Sequence, residues 1–303
     1  MSIVARRLVG LLLLIILFGA GFALLRLGIY GLTIFVIFPV LLGALASWVI
    51  RPATGARAAG LGALTVTIAL FSLLLLRSEG LICIAMAAPL ALPLGALGSW
   101  LAYLGGSSRL ETPTVALLVL FPLAGVTWDV KAPPRIFEVR SAIEIAAPPE
   151  QVWQHVVTFS ELPEPQEWFF RAGLAYPKRA RIEGSGPGAT RYCEFSTGPF
   201  VEPIEVWNEP NLLRFRVTEN PAPMHEWSPY AQVLPKHLHG YMVSKQGQFR
   251  LTRLASNHTF LEGTTWYQHG LWPSEYWRWW SDPIIHAIHL RVLNHIRTLS
   301  EKT

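Results

Sequence analysis

Through residue 128 the chain alternates long apolar runs with short breaks. The runs are Leu8–Leu25, Leu27–Ile50, Ala58–Leu76, Gly80–Leu104 and the shorter Thr114–Trp128, and none contains Asp, Glu, Lys, Arg or His. The breaks hold Arg26, Arg51 to Arg57, Arg77-Ser78-Glu79 and Gly105 to Thr112. A helix that crosses a bilayer needs about 20 mostly apolar residues. The pattern therefore predicts five spans, or four if the last run does not cross. A buried soluble helix would show polar positions at helical spacing, and these runs show none. The first run follows Arg6-Arg7 as a signal peptide would, but it is 18 residues long with another run directly behind it. Signal-peptide cores are about 7–15 residues, so the run reads as an uncleaved anchor.

From residue 129 the pattern changes. Pro133-Pro134 marks a linker over 129–135, because proline lacks a donor and disfavours helix before it. Fully extended, the stretch from Trp128 to Pro134 reaches roughly 20 Å at most, which predicts a domain kept near the lipid surface. Residues 136–147 then alternate, with Phe137, Val139, Ser141, Ile143 and Ile145 on one face and Glu138, Arg140 and Glu144 on the other, as in a half-buried strand. Ala147-Pro148-Pro149-Glu150 opens a helix carrying Val152, Trp153, Val156, Val157 and Phe159, and a second short helix is predicted over Gln166–Ala172. Strand patterns follow over Arg179–Glu183, Ala189–Ser196, Val201–Asn208, Leu212–Thr218, Tyr241–Leu254 and Thr259–His269, separated by Gly, Pro, Asn and Ser turns. Hairpin connections between short strands mean an antiparallel sheet. Asp282-Pro283 predicts the start of a final helix, whose apolar stripe is Ile285, Ile288, Val292, Ile296 and Leu299.

This order, and several local motifs, resemble the START-like superfamily, also called SRPBCC or Bet v 1-like, and in particular its polyketide cyclase/dehydrase branch. The matching residues are Ile143 to Glu150 with Val152-Trp153, then Gly186-Pro187-Gly188-Ala189-Thr190-Arg191. Glu202 through Trp207-Asn208-Glu209-Pro210 and Leu213-Arg214-Phe215 complete the set. The resemblance covers about residues 136–300 and leaves the apolar front outside it. It implies an α+β helix-grip domain, a curved antiparallel sheet over a long C-terminal helix, with a cavity for a hydrophobic ligand. It carries over no catalytic residue, because the superfamily shares no single catalytic motif. The expected organisation is an α-helical membrane bundle over 1–128, a linker over 129–135 and the START-like domain over 136–303, in a multi-pass protein of the cell membrane.

Composition sharpens this picture. Charged residues make up 15% of the chain, against about 25% in ordinary soluble domains. Residues 1–127 hold seven Arg and two Glu, which account for the whole net charge of +5, while the remainder balances eighteen basic against eighteen acidic residues. The basic character therefore forms no Lys/Arg-rich stripe, and nucleic acid is not an expected partner. With the N-terminus inside, Arg6, Arg7, Arg51, Arg57 and Arg109 face Arg26 and Arg77 across the membrane, as the positive-inside rule favours. Five spans then put the second domain outside, where Lys131, Arg135 and Arg140 even the count, and four put it inside. The absence of charge within the runs argues against an ion-coupled transporter. Pro39, Pro89, Pro93 and Pro122 can kink spans, and pairs such as Gly55/Ala59 and Gly95/Ser99 suit close helix packing. Two cysteines, Cys83 and Cys193, exclude a disulfide framework and a Cys-based zinc site.

Candidate chemistry concentrates near the C-terminus. Leaving aside His258 in a turn, seven of the nine histidines follow residue 224. On the last helix, Asp282, His286 and His289 fall within about 60° of one another and could hold a divalent ion. Measured from the apolar stripe, however, His289 lies about 60° away and His286 about 120°, so the two are not expected to point inward together. On the final strand Glu262, Thr264, Trp266 and Gln268 share one face, and Leu261, Gly263, Thr265, Tyr267 and His269 the other. If the Glu262 face lined the cavity, its carboxyl could act as a general acid or base. The alternative is an outer-face carboxylate paired with Arg250 or Arg253. The irregular stretch from Asn220 to Gly240 holds His225, Glu226, His237 and His239; loops of about 20 residues are uncommon and often bind or cover a site. Trp266, Trp272, Trp277, Trp279 and Trp280, with Tyr267 and Tyr276, suit a membrane–water interface or the rim of a cavity. Asn257-His258-Thr259 fits a glycosylation acceptor and a turn equally well.

The expected function is membrane-tethered binding of a hydrophobic small molecule or lipid, with membrane lipids and that ligand as partners. The ligand-binding candidates are Glu262, Trp266, His289, His225 and His239. No cofactor or metal is implied. The alternatives are a cyclase- or dehydratase-like enzyme using general acid–base catalysis, and a structural or signalling membrane protein.

Overall fold

The computed structural model describes residues 3–105, 112–230, 233 and 235–302, so Arg109 of the expected inner loop lies outside the described residues. The chain divides into two compact units. One comprises Met1–Pro133 with Glu226–His237 and Leu271–Tyr276; the other comprises Pro134–His225, Leu238–Gly270 and Trp277–Thr303.

In the helical unit, α1 covers Ile3–Leu27, a π turn over Thr33–Ile37 leads into α2 at Phe38–Ile50, and α3 covers Gly55–Leu75. Then come α4, Leu81–Leu104, and α5, Thr112–Lys131. Four helices, Ile3–Leu27, Thr33–Ile50, Gly55–Leu75 and Leu81–Leu104, are long and apolar enough to cross a membrane. The fifth run, Thr114–Trp128, lies within α5, which continues through Asp129 to Lys131. Asp129 accepts hydrogen bonds from the backbone N–H groups of Leu32 (2.7 Å) and Thr33 (3.0 Å). It thereby satisfies two of the orphan donors at the start of the second long apolar helix. Helices α2, α3 and α4 pack on small residues: a Cβ at Gly43 or at Gly62 would overlap the carbonyl of Gly95. Beside them the Ser99 hydroxyl donates to the Ala58 carbonyl at 2.5 Å. Such close backbone approach is how helices associate where no hydrophobic effect drives them together. Two distant segments complete this unit: the Leu81 N–H donates to Trp227 O at 2.7 Å, the Tyr230 hydroxyl to Leu75 O at 3.1 Å, and the Trp272 N–H to Tyr30 O at 3.3 Å.

The second unit opens with β1, Arg135–Ile145, then α6, Pro149–Val157, and α7, Trp168–Arg171. Strands β2 (Pro177–Glu183), β3 (Thr190–Phe195), β4 (Gly198–Asn208), β5 (Leu212–Arg216), β6 (Met242–Arg253) and β7 (Thr259–His269) follow, and α8, Ser274–Ser300, closes the chain. All seven strands form one antiparallel sheet in the order β1-β7-β6-β5-β4-β3-β2. This is the START-like helix-grip fold expected from the sequence. Its core joins Ile145, Val152, Trp153, Val156, Leu213, Leu251 and Leu261 to Val292, Leu293 and Ile296 of α8. Burial along β1 alternates as predicted, with Val139, Ser141 and Ile145 inside and Glu138, Arg140 and Glu144 outside. The largest boundary difference is at the last helix, with smaller ones at several strands. Helix α8 begins at Ser274 rather than Asp282, so Pro283 sits inside the helix and Asp282 is no cap. Asp282 instead accepts from the Tyr267 hydroxyl and from Arg278 Nη2 (2.9 Å) four residues earlier. A helix absorbs an interior proline when neighbouring contacts outweigh the lost backbone bond.

Candidate functional site

The polar groups between α8 and the β1–β7 edge form a continuous chain. His289 reaches Thr265 Oγ1 through Nε2 at 2.7 Å and Ser141 Oγ through Nδ1 at 3.0 Å. His286 reaches the same Ser141 hydroxyl through its Nδ1 at 2.7 Å. The two histidines therefore meet at that hydroxyl, His286 from the exposed side of the helix. The reason is that β1 is the edge strand, so a histidine on the helix flank reaches its hydroxyl from the side. Burial, with His286 beside it, pushes the His289 pKa down to about 4. A turn earlier, His269 Nε2 meets Ser281 Oγ at 3.0 Å, and burial pushes its pKa down to about 4 against the pull of Asp282. Burial and the Asp282 carboxylate together raise the pKa of Tyr267. Both histidines are thus neutral at neutral pH, each able to donate at one nitrogen and accept at the other.

Deeper in the same unit, Arg191 of β3 is buried against Glu202 of β4, its register partner. Its Nε donates to Val157 O at 3.2 Å. The guanidinium stands over the rings of Phe159, Phe215 and Phe249 at 5.5, 5.5 and 5.6 Å. Arg191 ends the motif Gly186–Arg191, and nothing in that motif marks it as buried. Arginine on an alternating strand carries no mark of which face it occupies.

A second cluster lies within the helical unit. Ligand-type atoms of Glu79, Cys83 and His237 all fall within 4.8 Å of one another. His237 Nε2 is 2.8 Å from Cys83 Sγ, and its Nδ1 is 3.4 Å from Glu79 Oε2. The Tyr30 hydroxyl donates to Glu79 Oε1 at 2.7 Å, and its ring meets the His237 ring edge-on at 4.9 Å. Both carboxylate oxygens of Glu226 are buried without a completed hydrogen bond, beside the Cys83 thiol and the amides of Ile82 and Cys83. Burial raises the Glu79 pKa to about 8, against the Tyr30 hydrogen bond, and lowers that of His237 to about 4. Burial also raises the pKa of Glu226. The suspicion attached to the 220–240 stretch thus lands on Glu226 and His237, while His225 and His239 are exposed. The sequence pattern does not link Glu79 and Cys83 to this stretch, since 154 residues separate Cys83 from His237.

The remaining candidates divide by face. Glu262 and Trp266 stand on the side of β7 opposite Leu261, Thr265 and Tyr267, which pack toward α8. Glu262 is the register partner of Arg250, and the Trp266 indole N–H donates to Glu138 Oε2 at 2.8 Å on that outer face. Only His289 of the five ligand-binding candidates lies between helix and sheet. Of the late tryptophans, Trp277 is buried and Trp279 exposed. Asn257 takes a left-handed φ of 63° in a turn and accepts from Arg253 Nη1 at 3.0 Å, which fits the turn reading of that motif.

Residues 137–261 match the family described as polyketide cyclase/dehydrase and lipid transport. Among solved structures, norcoclaurine synthase from Thalictrum flavum is similar at 13% identity, covering 59% of this chain and 93% of that one, with a TM-score of 0.37. The Zhui aromatase/cyclase from Streptomyces sp. R1128 is similar at 13% identity, covering 55% and 95%, with a TM-score of 0.34. No curated protein matches the chain.

Proposed function

We propose, from the membership of residues 137–261 in the polyketide cyclase/dehydrase and lipid transport family, that this chain binds a hydrophobic small molecule or lipid in its helix-grip domain while anchored in a membrane as a multi-pass protein. That family match carries the reading. It is supported by four helices long and apolar enough to cross a membrane and by a polar chain, Thr265–His289–Ser141, between the last helix and the sheet. Apolar walls with a few fixed polar groups are what a small-molecule site requires. The ligand is exchanged with the bilayer, and the aromatic stretch Trp266–Trp280 is its gate. Within that stretch exposed Trp279 meets the lipid, while buried Trp277 packs.

The test is native mass spectrometry of the full chain in detergent, followed by titration with a dansyl-labelled fatty acid. A co-purifying apolar mass, or saturable dansyl binding that His289→Phe weakens tenfold or more, supports the reading. Neither a co-purifying mass nor saturable binding would overturn it.

One observation favours a second reading, a cyclase- or dehydratase-like enzyme. The chain Thr265–His289–Ser141–His286 runs from a half-buried hydroxyl to an exposed imidazole. Such a chain can pass a proton, as general acid–base catalysis requires. A bound ligand recovered chemically unchanged after prolonged incubation counts against it.

A further inference from the structure

We propose that Glu79, Cys83, His237 and Glu226 form a binding site for a borderline-soft divalent cation of the zinc type. The four residues come from two parts of one compact unit. Glu79 and Cys83 flank the start of α4, and Glu226 and His237 bound the returning segment Glu226–His237. The donor atoms of Glu79, Cys83 and His237 already lie within 4.8 Å of one another. A thiol, an imidazole and carboxylates are the donors zinc takes in four-coordinate protein sites. A soft sulfur in the set disfavours magnesium and calcium, which take oxygen ligands. Two cysteines are too few for a Cys-rich zinc site, but a mixed site needs only one.

Three observations point to a missing ligand rather than a finished polar cluster. His237 Nδ1, 3.4 Å from Glu79 Oε2, and both oxygens of Glu226, beside the Cys83 thiol and the amides of Ile82, Cys83 and Trp227, are buried without a completed hydrogen bond. Buried polar atoms are nearly always paired, so three orphans at one place need an explanation. Among the described residues, no Lys or Arg forms an ion pair with Glu79 or Glu226. Arg26 acts on Glu79 through its charge without bonding it, so two carboxylates and a thiol sit together without a bonded cation. The third observation is the room made for them. A Cβ at Gly80 would fall on the Glu226 carboxylate, so this approach requires glycine there.

Tyr30 acts as a positioning residue. Its hydroxyl takes Glu79 Oε1 and turns Oε2 toward His237. Partners of this kind orient metal ligands, and losing one typically weakens binding by about 10–100-fold. The proton balance is simple. The thiol must become a thiolate, and its proton leaves to solvent as the ion enters. The cation replaces the proton that Cys83 and His237 now share.

Cobalt(II) is the probe, because a cobalt–thiolate bond gives a near-ultraviolet charge-transfer band. The full chain, purified in detergent and stripped with chelator, should take up one equivalent of cobalt and show that band. Cys83→Ser should abolish the band, and Cys193→Ser should keep it. Glu226→Gln and His237→Ala should weaken binding at least tenfold, and Tyr30→Phe by about 10–100-fold. Tryptophan fluorescence and size-exclusion profiles identify variants that have unfolded, and for those zinc protection of wild-type Cys83 from iodoacetamide supplies the readout. No saturable cobalt uptake by the wild type overturns the proposal, as does a band that survives Cys83→Ser. Rapid alkylation of Cys83 that zinc does not slow also overturns it, and would instead mark Cys83–His237–Glu79 as a nucleophile with its base and orienting carboxylate.

Discussion

The helix-grip unit buries a guanidinium and a carboxylate against each other, Arg191 on Glu202 under three phenylalanine rings. The helical unit buries two carboxylates, Glu79 and Glu226, with no Lys or Arg bonded to either among the described residues. The two arrangements have different physical meanings. A buried pair is self-sufficient: each charge offsets the other's lost hydration, and nothing from outside is needed. Buried carboxylates gathered around a thiol and an imidazole are incomplete, and incompleteness marks a place where a ligand belongs. The polar chain at His289 lies between these extremes, with Thr265, Ser141 and a neutral His289 hydrogen-bonded to one another.

The sharpest way to break this comparison is to open the closed pair. Arg191→Met strands Glu202 in the core and should cost about 3–5 kcal/mol. Arg191→Met combined with Glu202→Leu should cost much less, because no charge is left unpaired. Urea unfolding of the full chain in detergent measures both. Equal losses from the single and double changes would show that the pair is not what Arg191 contributes.

Acid comes next in size. His269 and His289 have native pKa values pushed down to about 4, against 6.5 for an exposed histidine. The unfolded chain therefore binds more protons than the native one between these values. Stability is complete above pH 6.5 and is lost as the pH falls toward 4, on the order of a few kcal/mol for the two together. His289 faces Ser141 and Thr265 with His286 beside it, and His269 faces Ser281 near Asp282. The urea midpoint of this unit should fall across that window, and the double change His269→Gln with His289→Gln should flatten the fall. A midpoint that rises on acidification would contradict the burial of both rings.

The smallest effect is expected at Glu262. On the outer face of β7, Glu262→Gln should change stability by less than about 0.5 kcal/mol and leave dansyl fatty-acid binding intact. A clear loss of binding would move the ligand to the other side of the sheet.

How much could be read in advance follows from the range of each interaction. The strands of the grip unit and their order were legible because alternation and turn chemistry are local: β7 was placed at Thr259–His269 to the residue. The start of α8 was not, because Asp282-Pro283 imitates a helix start, and only the contacts of Asp282 with Tyr267 and Arg278 reveal that it lies within a helix. The inward turn of Arg191 was invisible, since its reason is Glu202 on the next strand. The convergence of His286 and His289 on Ser141 depended on which strand lies at the sheet edge. The 220–240 stretch was conspicuous by its length and its His and Glu, but its partners Glu79 and Cys83, in the break before the fourth apolar run and just inside that run, lie far away along the chain.

The return of the chain to its helical unit, first with Glu226–His237 and later with Leu271–Tyr276, also has a consequence for biosynthesis. Helices α1 to α4 have left the ribosome long before residue 237 exists. At roughly 5–20 residues per second the interval is on the order of ten seconds. Through that interval Glu79 and Cys83 wait at the end of a hydrophobic hairpin without His237 or Glu226. Nascent chains therefore pass through a stage when this half of the molecule is open to chaperones, to proteases and to whatever ions the compartment holds.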